Sequence, residues 1–461
     1  MRKIFIIALI CGMLSASCAK NHNEVIVLRT ATSTAISKEQ ALKNLYEELK
    51  MLDGATRTGN SSRTVKSIKP LEGAVTRSGN AIADNLLYIV EFEEGEGSAI
   101  VAADTRLEPV IAVLDSSALE ESDFASDDME DIDVYMASMI SSYAYNAANR
   151  NSGSRLITEN VVIDTIVHAY KHPMLKTKWH QLSPYNDKCI DNRNGENIEA
   201  GCVAIAMGQF VYYHRSPDVI NGYYPMWDML ERKEYSNGPL VDIGGGMIGG
   251  GTIGGGTIGG GTIGGGTIGG GTIGDGGLLV DPISIEDEIA ANFIYNIGCV
   301  CNIHYATGDT SANTNEILNA FEELGYNVYD VAYNSTTAKN LILNDKPVYM
   351  VGAGPYTDEH GNTGIVGHAW ILDGWLERTI RTTTYIYSDG SSGSGGDTVT
   401  RTERYCNTVH CNFGWEGKCD GYYNCEVFDL SVIPEYVDGS IGDMHNLLDL
   451  QFDRALAIFV Y

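Results

Sequence analysis

The sequence predicts an α+β protein with a small N-terminal domain and a larger C-terminal domain. Three observations lead to this prediction. Apolar residues recur at helical spacing in several separate segments. Short apolar runs of the β type, bounded by polar turns, lie in both halves of the chain. A polar stretch at 149–154 that contains Gly and Ser separates the two halves. The 461 residues allow one large domain or two to three ordinary ones.

The first 18 residues have the pattern of an export signal. Arg2 and Lys3 form a charged start, and a short apolar stretch runs from Ile4 to Leu14. The small residues 15–17 fall directly before Cys18, which resembles the lipobox of bacterial lipoproteins. We therefore predict a signal peptide over 1–18, a lipid anchor at Cys18, and a membrane-anchored protein in the periplasm or on the cell surface, with release after processing as a further expectation. A plain secretory signal with an incidental cysteine is the alternative.

Residues 19–155 are predicted to contain a polar tether followed by a small α/β domain. A helix is expected from Ser37 to Asp53, because Ser37 can cap it, Gln40 follows three residues later, and leucines recur at helical spacing. The stretch 54–78 is rich in Ser, Thr, Gly and Arg and predicts a loop. Strands are expected at 86–92, 98–103 and 110–114, and a helix at about 129–148.

Residues 156–461 are predicted to form the larger domain. We expect helices from Cys202 onward, at about 286–297 and at about 313–325, and strands near 346–351, 368–374 and 455–461. Two β-type runs around Ser388 to Gly393 predict a hairpin inserted at 376–404. A Gly-Gly-Gly-x-Ile repeat within 244–277 predicts a flexible or loosely extended insertion, because so much glycine is costly to order and a single Ile per unit supplies little core.

Charge and cysteine content restrict the classes of function. The net charge of −29 argues against nucleic acid as a partner, because phosphate binding needs a basic face. Cys406, Cys411, Cys419 and Cys425 lack the tight spacing of a zinc knuckle, so we expect no metal site there and no cofactor. An exported chain can form disulfides, but the sequence does not determine their pairing.

Cys202 is the strongest candidate for a reactive residue. It lies at the predicted first turn of a helix whose apolar residues Val203, Ala206, Met207 and Phe210 recur at helical spacing. Unpaired backbone N–H groups and the positive end of the helix dipole favour thiolate over thiol at such a position. A small buried structural cysteine is the alternative.

Three further residues supply what a cysteine nucleophile needs. His368 follows a glycine at the predicted start of a strand, which leaves open space beside its ring, so the imidazole could act as the base for Cys202. Asn412 can accept a hydrogen bond from the imidazole and fix its tautomer, and Gln181 can donate to an oxyanion together with the backbone N–H of Cys202. Taken singly, each has a structural alternative: a core histidine, a turn asparagine and a surface glutamine.

The order Gln, Cys, His, Asn is that of papain-like peptidases, and the chain resembles their streptopain family of bacterial cysteine peptidases. Four blocks carry the resemblance: W-x-Q-x-x-P-Y-N at 179–186, G-C-V-A at 201–204 with Gln209 following, G-H-A-x-x-x-D-G at 367–374, and N-x-G-W at 412–415. The segment 311–351 is similar as well. Together these blocks are specific, whereas each alone is weak.

The resemblance implies a papain-like catalytic domain, with a helical half and an antiparallel β half, preceded by an inhibitory pro-domain. It implies a zymogen that is activated by proteolysis near 150–172 and cleaves proteins or peptides with a bulky apolar P2 residue. It also implies catalytic roles for Cys202, His368, Asn412 and Gln181. Trp415 would cover the His–Asn pair, and Gly201 and Gly367 would line the substrate site.

One departure from the family pattern leaves alternatives open. Phe413 stands where the family commonly has a tryptophan, so the indole N–H donor is lost. A catalytically weakened homologue that acts as a protein-binding lipoprotein is therefore the second interpretation. A transglutaminase-like or amidase activity with the same Cys–His–Asn set is the third.

Overall fold

The computed structural model describes residues 34–55, 63–76, 81–126, 131–150, 159–236, 284–307, 310–331, 333–357, 363–386, 398–428 and 454–459. The predicted signal peptide with Cys18, the Gly-rich insertion at 244–277 and the predicted boundary at residues 155 and 156 lie outside these residues.

The described residues form seven α-helices, most of them close to their predicted positions. The helices are α1 (Lys38–Ala55), α2 (Ile132–Arg150), α3 (Cys202–His214), α4 (Trp227–Ser236), α5 (Ile285–Val300), α6 (Thr314–Glu323) and α7 (Ser335–Ile342). Short 3-10 turns lie at Glu93–Gly95, Asp123–Ala125, Tyr305–Thr307 and Cys425–Phe428.

Thirteen strands are present in the same part of the chain. They are β1 (Val65–Pro70), β2 (Leu87–Phe92), β3 (Ser98–Ala102), β4 (Val110–Leu114), β5 (Glu159–Lys171), β6 (Ile190–Asp191), β7 (Glu196–Asn197), β8 (Asn327–Val331), β9 (Val348–Thr357), β10 (Thr363–Ile386), β11 (Thr398–Asn412), β12 (Gly421–Asn424) and β13 (Arg454–Phe459). Helices and a large antiparallel sheet together confirm the α+β prediction.

The N-terminal domain follows its sequence closely, with one correction. The backbone N–H of Gln40 donates to Ser37 Oγ at 3.2 Å, so Ser37 caps α1 as predicted. The loop predicted over 54–78 is wrong in part, because it contains β1. This strand pairs only with β2 and forms an edge of the sheet, where one apolar face is enough. Val65 and Ile68 supply that face and pack against the core around α1.

A single antiparallel sheet runs through both domains. Its order is β1-β2-β3-β4-β12-β11-β10-β9-β13-β8, and β4 of the N-terminal domain pairs with β12 of the C-terminal domain. β5, which the sequence did not predict, pairs with β10 from Trp375 to Tyr385, beyond the part of β10 that pairs with β9. The two domains are therefore joined through backbone hydrogen bonds as well as through side chains.

The predicted hairpin at 376–404 is the outer part of two core strands. β10 and β11 pair without interruption from Gly374 out to Ile386, and the residues between the two strands, 387–397, lie outside the described part. Because the same strands carry His368 and Asn412 at their inner ends, the hairpin is a direct extension of the strands that hold these two residues.

The sheet separates two hydrophobic cores at β9 and β10. The helix-side core contains Tyr349, Ala369 and Ile371 together with buried side chains of α3, α5 and α6. The N-terminal-side core contains Met350, Trp370 and Leu372 together with buried side chains of α2. Successive strand residues point to opposite faces, so even-numbered positions of this part of β10 face α2 and odd-numbered positions face α3.

Three further properties of the described residues concern disulfides, metal sites and membrane spans. Their eight cysteines are all free thiols. No group of three or more His, Cys, Asp or Glu side chains among them is placed to hold a metal ion. None of their helices is long and apolar enough to cross a membrane.

Candidate active site

Cys202 is the first residue of α3, as predicted. Gly201 precedes it with φ +86°, and a Cβ added there would lie 2.7 Å from the carbonyl oxygen of Thr310. Only glycine combines that conformation with that close approach. Gly201 thus allows the chain to turn into α3 with the cysteine at its N-terminus.

The pKa of the Cys202 thiol is raised in this structure, whereas the sequence predicted a lowered one. Burial of its sulfur raises the pKa of Cys202 above the ordinary value. Hydrogen bonds from the backbone of Ala369, Val203 and Cys202 itself act to lower this pKa but are outweighed. The N–H groups at the helix N-terminus lower the pKa of Cys202 as expected, but the loss of solvent around the sulfur raises it by more.

The backbone of Gln181 is bonded to the segment that leads into Cys202. The backbone N–H of Ala200, two residues before Cys202, donates to the carbonyl oxygen of Gln181 at 2.9 Å. The Tyr305 hydroxyl in turn donates to the Ala200 carbonyl at 2.9 Å. Gln181 is buried, so the surface-loop alternative is excluded.

The surroundings of His368 differ from the prediction. Open space was expected beside a ring at the start of a strand, but β10 begins at Thr363 and the ring is 6 % exposed. It packs edge-on against Tyr135 of α2, with 4.5 Å between ring centroids. The Trp415 ring lies 6.2 Å away, also edge-on. The expectation was wrong because a sequence cannot show what a neighbouring domain places beside a strand.

His368 and Cys202 lie on opposite faces of β10. The thiol contacts the backbone of Ala369 and borders the helix-side core. The imidazole contacts Tyr135, which belongs to the N-terminal-side core. Because adjacent strand residues point in opposite directions, a thiol beside Ala369 faces away from the side chain of His368. The predicted base is thus packed against α2, and the predicted nucleophile lies at the start of α3 on the helix side of β10.

Asn412 ends β11 and is held by three hydrogen bonds. Its Oδ1 accepts from Gln209 Nε2 at 2.9 Å and from the Gly414 N–H at 3.1 Å. Its Nδ2 donates to the Thr177 carbonyl at 2.7 Å. The bond to Gly414 is that of a turn asparagine, as the alternative from the sequence had it, but the side chain is also 3 % exposed and bonded to α3. These bonds place Asn412 beside α3, the helix of the nucleophile.

The aromatic residues beside Asn412 have separate environments. Trp415 is partly buried and faces His368, in keeping with its predicted covering role. Phe413 points into the N-terminal-side core, where its ring lies 5.6 Å from that of Trp370 and 5.9 Å from that of Tyr423. Phe413 is therefore a core residue here and does not shield the His368 ring.

The predicted substrate-site glycines occupy two elements. Gly201 precedes the nucleophile, and Gly367 is exposed on β10, directly before His368 and opposite Ala353 of β9. The backbone groups that hydrogen-bond to the thiol are those of Ala369, Val203 and Cys202 itself.

Several residues of this region carry contacts that the sequence did not reveal. Tyr135 holds the His368 ring, and Gln209 bonds Asn412. His410 Nδ1 lies 2.6 Å from Asp373 Oδ1, and its Nε2 lies 3.1 Å from Asp115 Oδ2 of the N-terminal domain. Only Gln209 left a signal, as a polar residue inside an apolar helix.

The chain was also compared with known proteins. The sequence profile of the Peptidase C10 family matches residues 179–239 and 282–423. No curated protein sequence matches the chain. Among solved structures, a mutant fragment of prointerpain A from Prevotella intermedia is 14 % identical with a TM-score of 0.46, and the alignment covers 86 % of this chain and 99 % of that one. Active wild-type interpain A, a cysteine protease of the same organism, is 16 % identical with a TM-score of 0.35, over 64 % and 96 % of the two chains.

Proposed function

We propose that this chain, whose residues 179–239 and 282–423 match the Peptidase C10 family, is a cysteine-type endopeptidase and that the structure represents its zymogen, in which residues 19–155 contain the pro-domain. The single observation that carries the proposal is the packing of the His368 ring against Tyr135 of α2, with 4.5 Å between ring centroids. A cysteine peptidase needs its imidazole free to serve the thiol, so we infer that a ring held by α2 has to be released before catalysis.

The proposed mechanism of the activated enzyme is acyl transfer. His368 takes the proton of Cys202, and the thiolate attacks the scissile carbonyl carbon. The resulting oxyanion accepts hydrogen bonds from the Gln181 side chain and the Cys202 backbone N–H. His368 then protonates the leaving amine, and water activated by His368 releases the acyl group and regenerates the thiol. Asn412 orients His368 through its Oδ1, and Trp415 covers the pair.

Latency in this proposal depends on α2. Its Tyr135 packs against the His368 ring, and the surrounding α2 side chains fill the core on the same face of β10. When the pro-domain leaves, that face loses its cover and the stretch of β10 before Ala369 becomes free to turn the imidazole toward Cys202. The release exposes apolar side chains of this face to water, and a rearrangement of β10 that buries them again is therefore favoured.

Buried charged groups also hold the pro-domain to the peptidase domain. Glu48 of α1 lies 2.5 Å from Arg378 of β10, and both side chains are almost fully buried. Asp115 reaches His410, whose other nitrogen contacts Asp373. Burial would lower the pKa of His410, but the charge of Asp373 and the hydrogen bonds to both carboxylates raise it well above the ordinary value. A protonated His410 therefore links the two domains.

We further propose that the substrates are proteins and peptides with a bulky apolar residue at P2, as the family resemblance implies. The protein is exported by the signal at 1–18 and anchored to a bacterial membrane by a lipid at Cys18. Processing near 150–172 would separate the peptidase from both pro-domain and anchor. Cleavage of a P2-varied peptide library, with mass spectrometry of the precursor and mature chains, tests these three points.

The proposed nucleophile is tested with two cysteine variants. In Cys202→Ala we expect no cleavage of casein and no self-processing, because no other group replaces the thiolate. Cys299→Ala is the matched control: it removes a partly buried thiol elsewhere in the fold, and we expect it to retain activity. Full activity of Cys202→Ala, or a wild-type chain that binds proteins without cleaving them, would contradict the proposal.

A further inference from the structure

Gln209 is a buried amide in an otherwise apolar helix. It lies seven residues after Cys202 in α3, which places both residues on the same side of the helix. Its side chain is fully buried among Ile205, Phe210 and other apolar neighbours. A buried amide is costly in such surroundings unless it forms hydrogen bonds, so its presence needs a reason.

The amide of Gln209 makes one hydrogen bond, from Nε2 to Asn412 Oδ1 at 2.9 Å. Among the described residues its Oε1 has no hydrogen-bond partner. Within the described part of the chain the side chain is thus bonded only toward Asn412, and it forms one of the four hydrogen bonds that a glutamine amide can make. A glutamine kept solely to stabilise the core would be a poor choice compared with a methionine of similar shape.

The network around Asn412 determines which end of each amide faces the other. The Thr177 carbonyl can only accept, so it requires Asn412 Nδ2, and the Gly414 N–H can only donate, so it requires Asn412 Oδ1. Oδ1 therefore points to Gln209, and because Oδ1 can only accept, Gln209 donates to it from Nε2. Were Gln209 absent, the orientation of Asn412 would depend on two backbone groups alone.

We propose that Gln209 is a positioning residue, which holds Asn412 with its oxygen toward the site that the imidazole of His368 enters on activation. The inference rests on the proposed function, in which Asn412 Oδ1 accepts from His368 Nδ1. A reversed Asn412 amide would present N–H groups to an N–H donor and could not stabilise the imidazolium. Since Gln209 has a single hydrogen bond, it can tilt to share Oδ1 with the arriving ring.

The position of Gln209 has a second consequence. Cys202 and Gln209 belong to one helix, α3. The nucleophile and the glutamine that bonds Asn412 therefore move together. Gly414 fits closely against the same helix, because a Cβ there would lie 2.5 Å from Ile205 Cγ2. We therefore expect the bond between Gln209 and Asn412 to persist when the pro-domain leaves, with His368 as the catalytic group that moves.

The test uses full-length proteins activated in trans by a trace of wild-type enzyme. Gln209→Met keeps the length of the side chain and removes the donor. We expect kcat to fall about 10–100-fold with little change in KM, as is typical when a partner behind a catalytic group is removed. The alkaline limb of the pH–rate profile should move to lower pH, because a poorly oriented Asn412 no longer raises the pKa of His368.

Gln209→Glu supplies a signature that a structural role would not produce. A protonated carboxyl can donate to Asn412, whereas a carboxylate cannot, so the loss of activity should grow as the pH rises through the pKa of that group. Phe210→Leu is the matched core control on the same helix: it should lower the midpoint of thermal unfolding while leaving both limbs of the pH profile in place.

A double-mutant cycle with Asn412→Ala separates this inference from the proposed function. If Gln209 acts through Asn412, Gln209→Met causes no additional loss in the Asn412→Ala background. Independent, multiplicative losses, or an unchanged kcat and pH profile in Gln209→Met, would overturn the positioning role while Asn412 keeps its own. Full activity of Asn412→Ala would instead overturn the proposed role of Asn412 and this inference with it.

Discussion

On one face of β9 and β10, Tyr349, Ala369 and Ile371 pack against the helix that carries Cys202. On the other face, Met350 and Trp370 pack against α2 of the proposed pro-domain, and the same region is further attached through the charged pairs Glu48–Arg378 and Asp115–His410. In the proposed zymogen, the helix-side contact belongs to the peptidase in every state. The pro-domain contact would have to hold before processing and separate afterwards.

The difference between the faces follows from the groups that each one buries. Both faces bury apolar surface, whose exposure to water costs free energy, but only the face toward α1 and α2 adds buried charged pairs to that contact. A buried ion pair gains little net stability, because the two charges lose their hydration when they are buried and regain it when they separate. Charged contacts therefore allow a domain to be held in one specific position and still be released.

The largest expected effect is on the permanent face. Phe210→Ala removes a fully buried ring that lies 5.5 Å, between centroids, from both Phe321 and Tyr326. We expect a loss of about 3–5 kcal/mol in the free energy of unfolding, from lost burial and the cavity left behind. Denaturant unfolding of the precursor and of the processed enzyme should give the same loss. A loss confined to one form would contradict the assignment of this face.

The next effect should appear in the zymogen alone. Glu48→Ala leaves Arg378 buried without its partner, which we expect to cost about 3 kcal/mol. Processed enzyme from this variant has the wild-type sequence, so its stability is an internal reference. Measurements on the precursor use the Cys202→Ala background, which prevents self-cleavage.

The matched control for Glu48 is its neighbour on the same helix. Glu47 forms a surface pair with Lys50 at 2.6 Å, so Glu47→Ala should change the free energy of unfolding by less than about 1 kcal/mol. With the nucleophile restored, Glu48→Ala should process itself faster than either Glu47→Ala or the wild type. Equal stability and equal processing rates of the two variants would show that the buried pair does not restrain the pro-domain.

The smallest effect should depend on pH. Burial acts to raise the pKa of Asp115, but the hydrogen bond to His410 and the charges of His410, Arg63 and Lys178 hold that pKa below its ordinary value. The side chain is 41 % exposed and solvent screens it, so Asp115→Asn should cost the zymogen only about 1 kcal/mol at neutral pH.

The direction of the pH dependence follows from the raised pKa of His410. Its stabilising contribution is complete below about pH 6.5, the ordinary value for histidine, and is lost as the pH rises through the raised value. Because Asp115→Asn removes one of the carboxylates that raise this pKa, the contribution of His410 should be smaller in the variant and its decline should be complete at a lower pH. Glu72→Gln, an exposed carboxylate of the pro-domain, should leave the profile unchanged.

Sequence patterns predicted the positions of helices and strands better than they predicted which strands pair. Apolar periodicity and the Ser37 cap located α1, and the same reasoning located α3 with Cys202 at its start. Strands β1 and β5 were missed, because β1 is a short edge strand and the pairing of β5 is set by the distant β10. Local sequence carries little information on such long-range pairing.

The candidate site shows the same limit. The four sequence motifs identified the candidate residues Cys202, His368, Asn412 and Gln181. They did not show toward which face of β10 the His368 side chain points. Period-2 alternation shows that neighbours face opposite ways without showing which side meets α2. The raised pKa of Cys202 was likewise inaccessible, since it depends on what surrounds the sulfur in the folded state.

The central claim is that the pro-domain keeps Cys202 and His368 apart. The most direct test is the rate at which iodoacetamide alkylates Cys202 in the intact precursor and in the processed enzyme, measured from pH 5 to 9 with mass spectrometry to locate the label. We expect slow alkylation of the precursor that rises only at high pH, and fast alkylation of the processed enzyme already near pH 6, where a thiolate–imidazolium pair exists. Equally fast alkylation of Cys202 in both forms at low pH would contradict the claim.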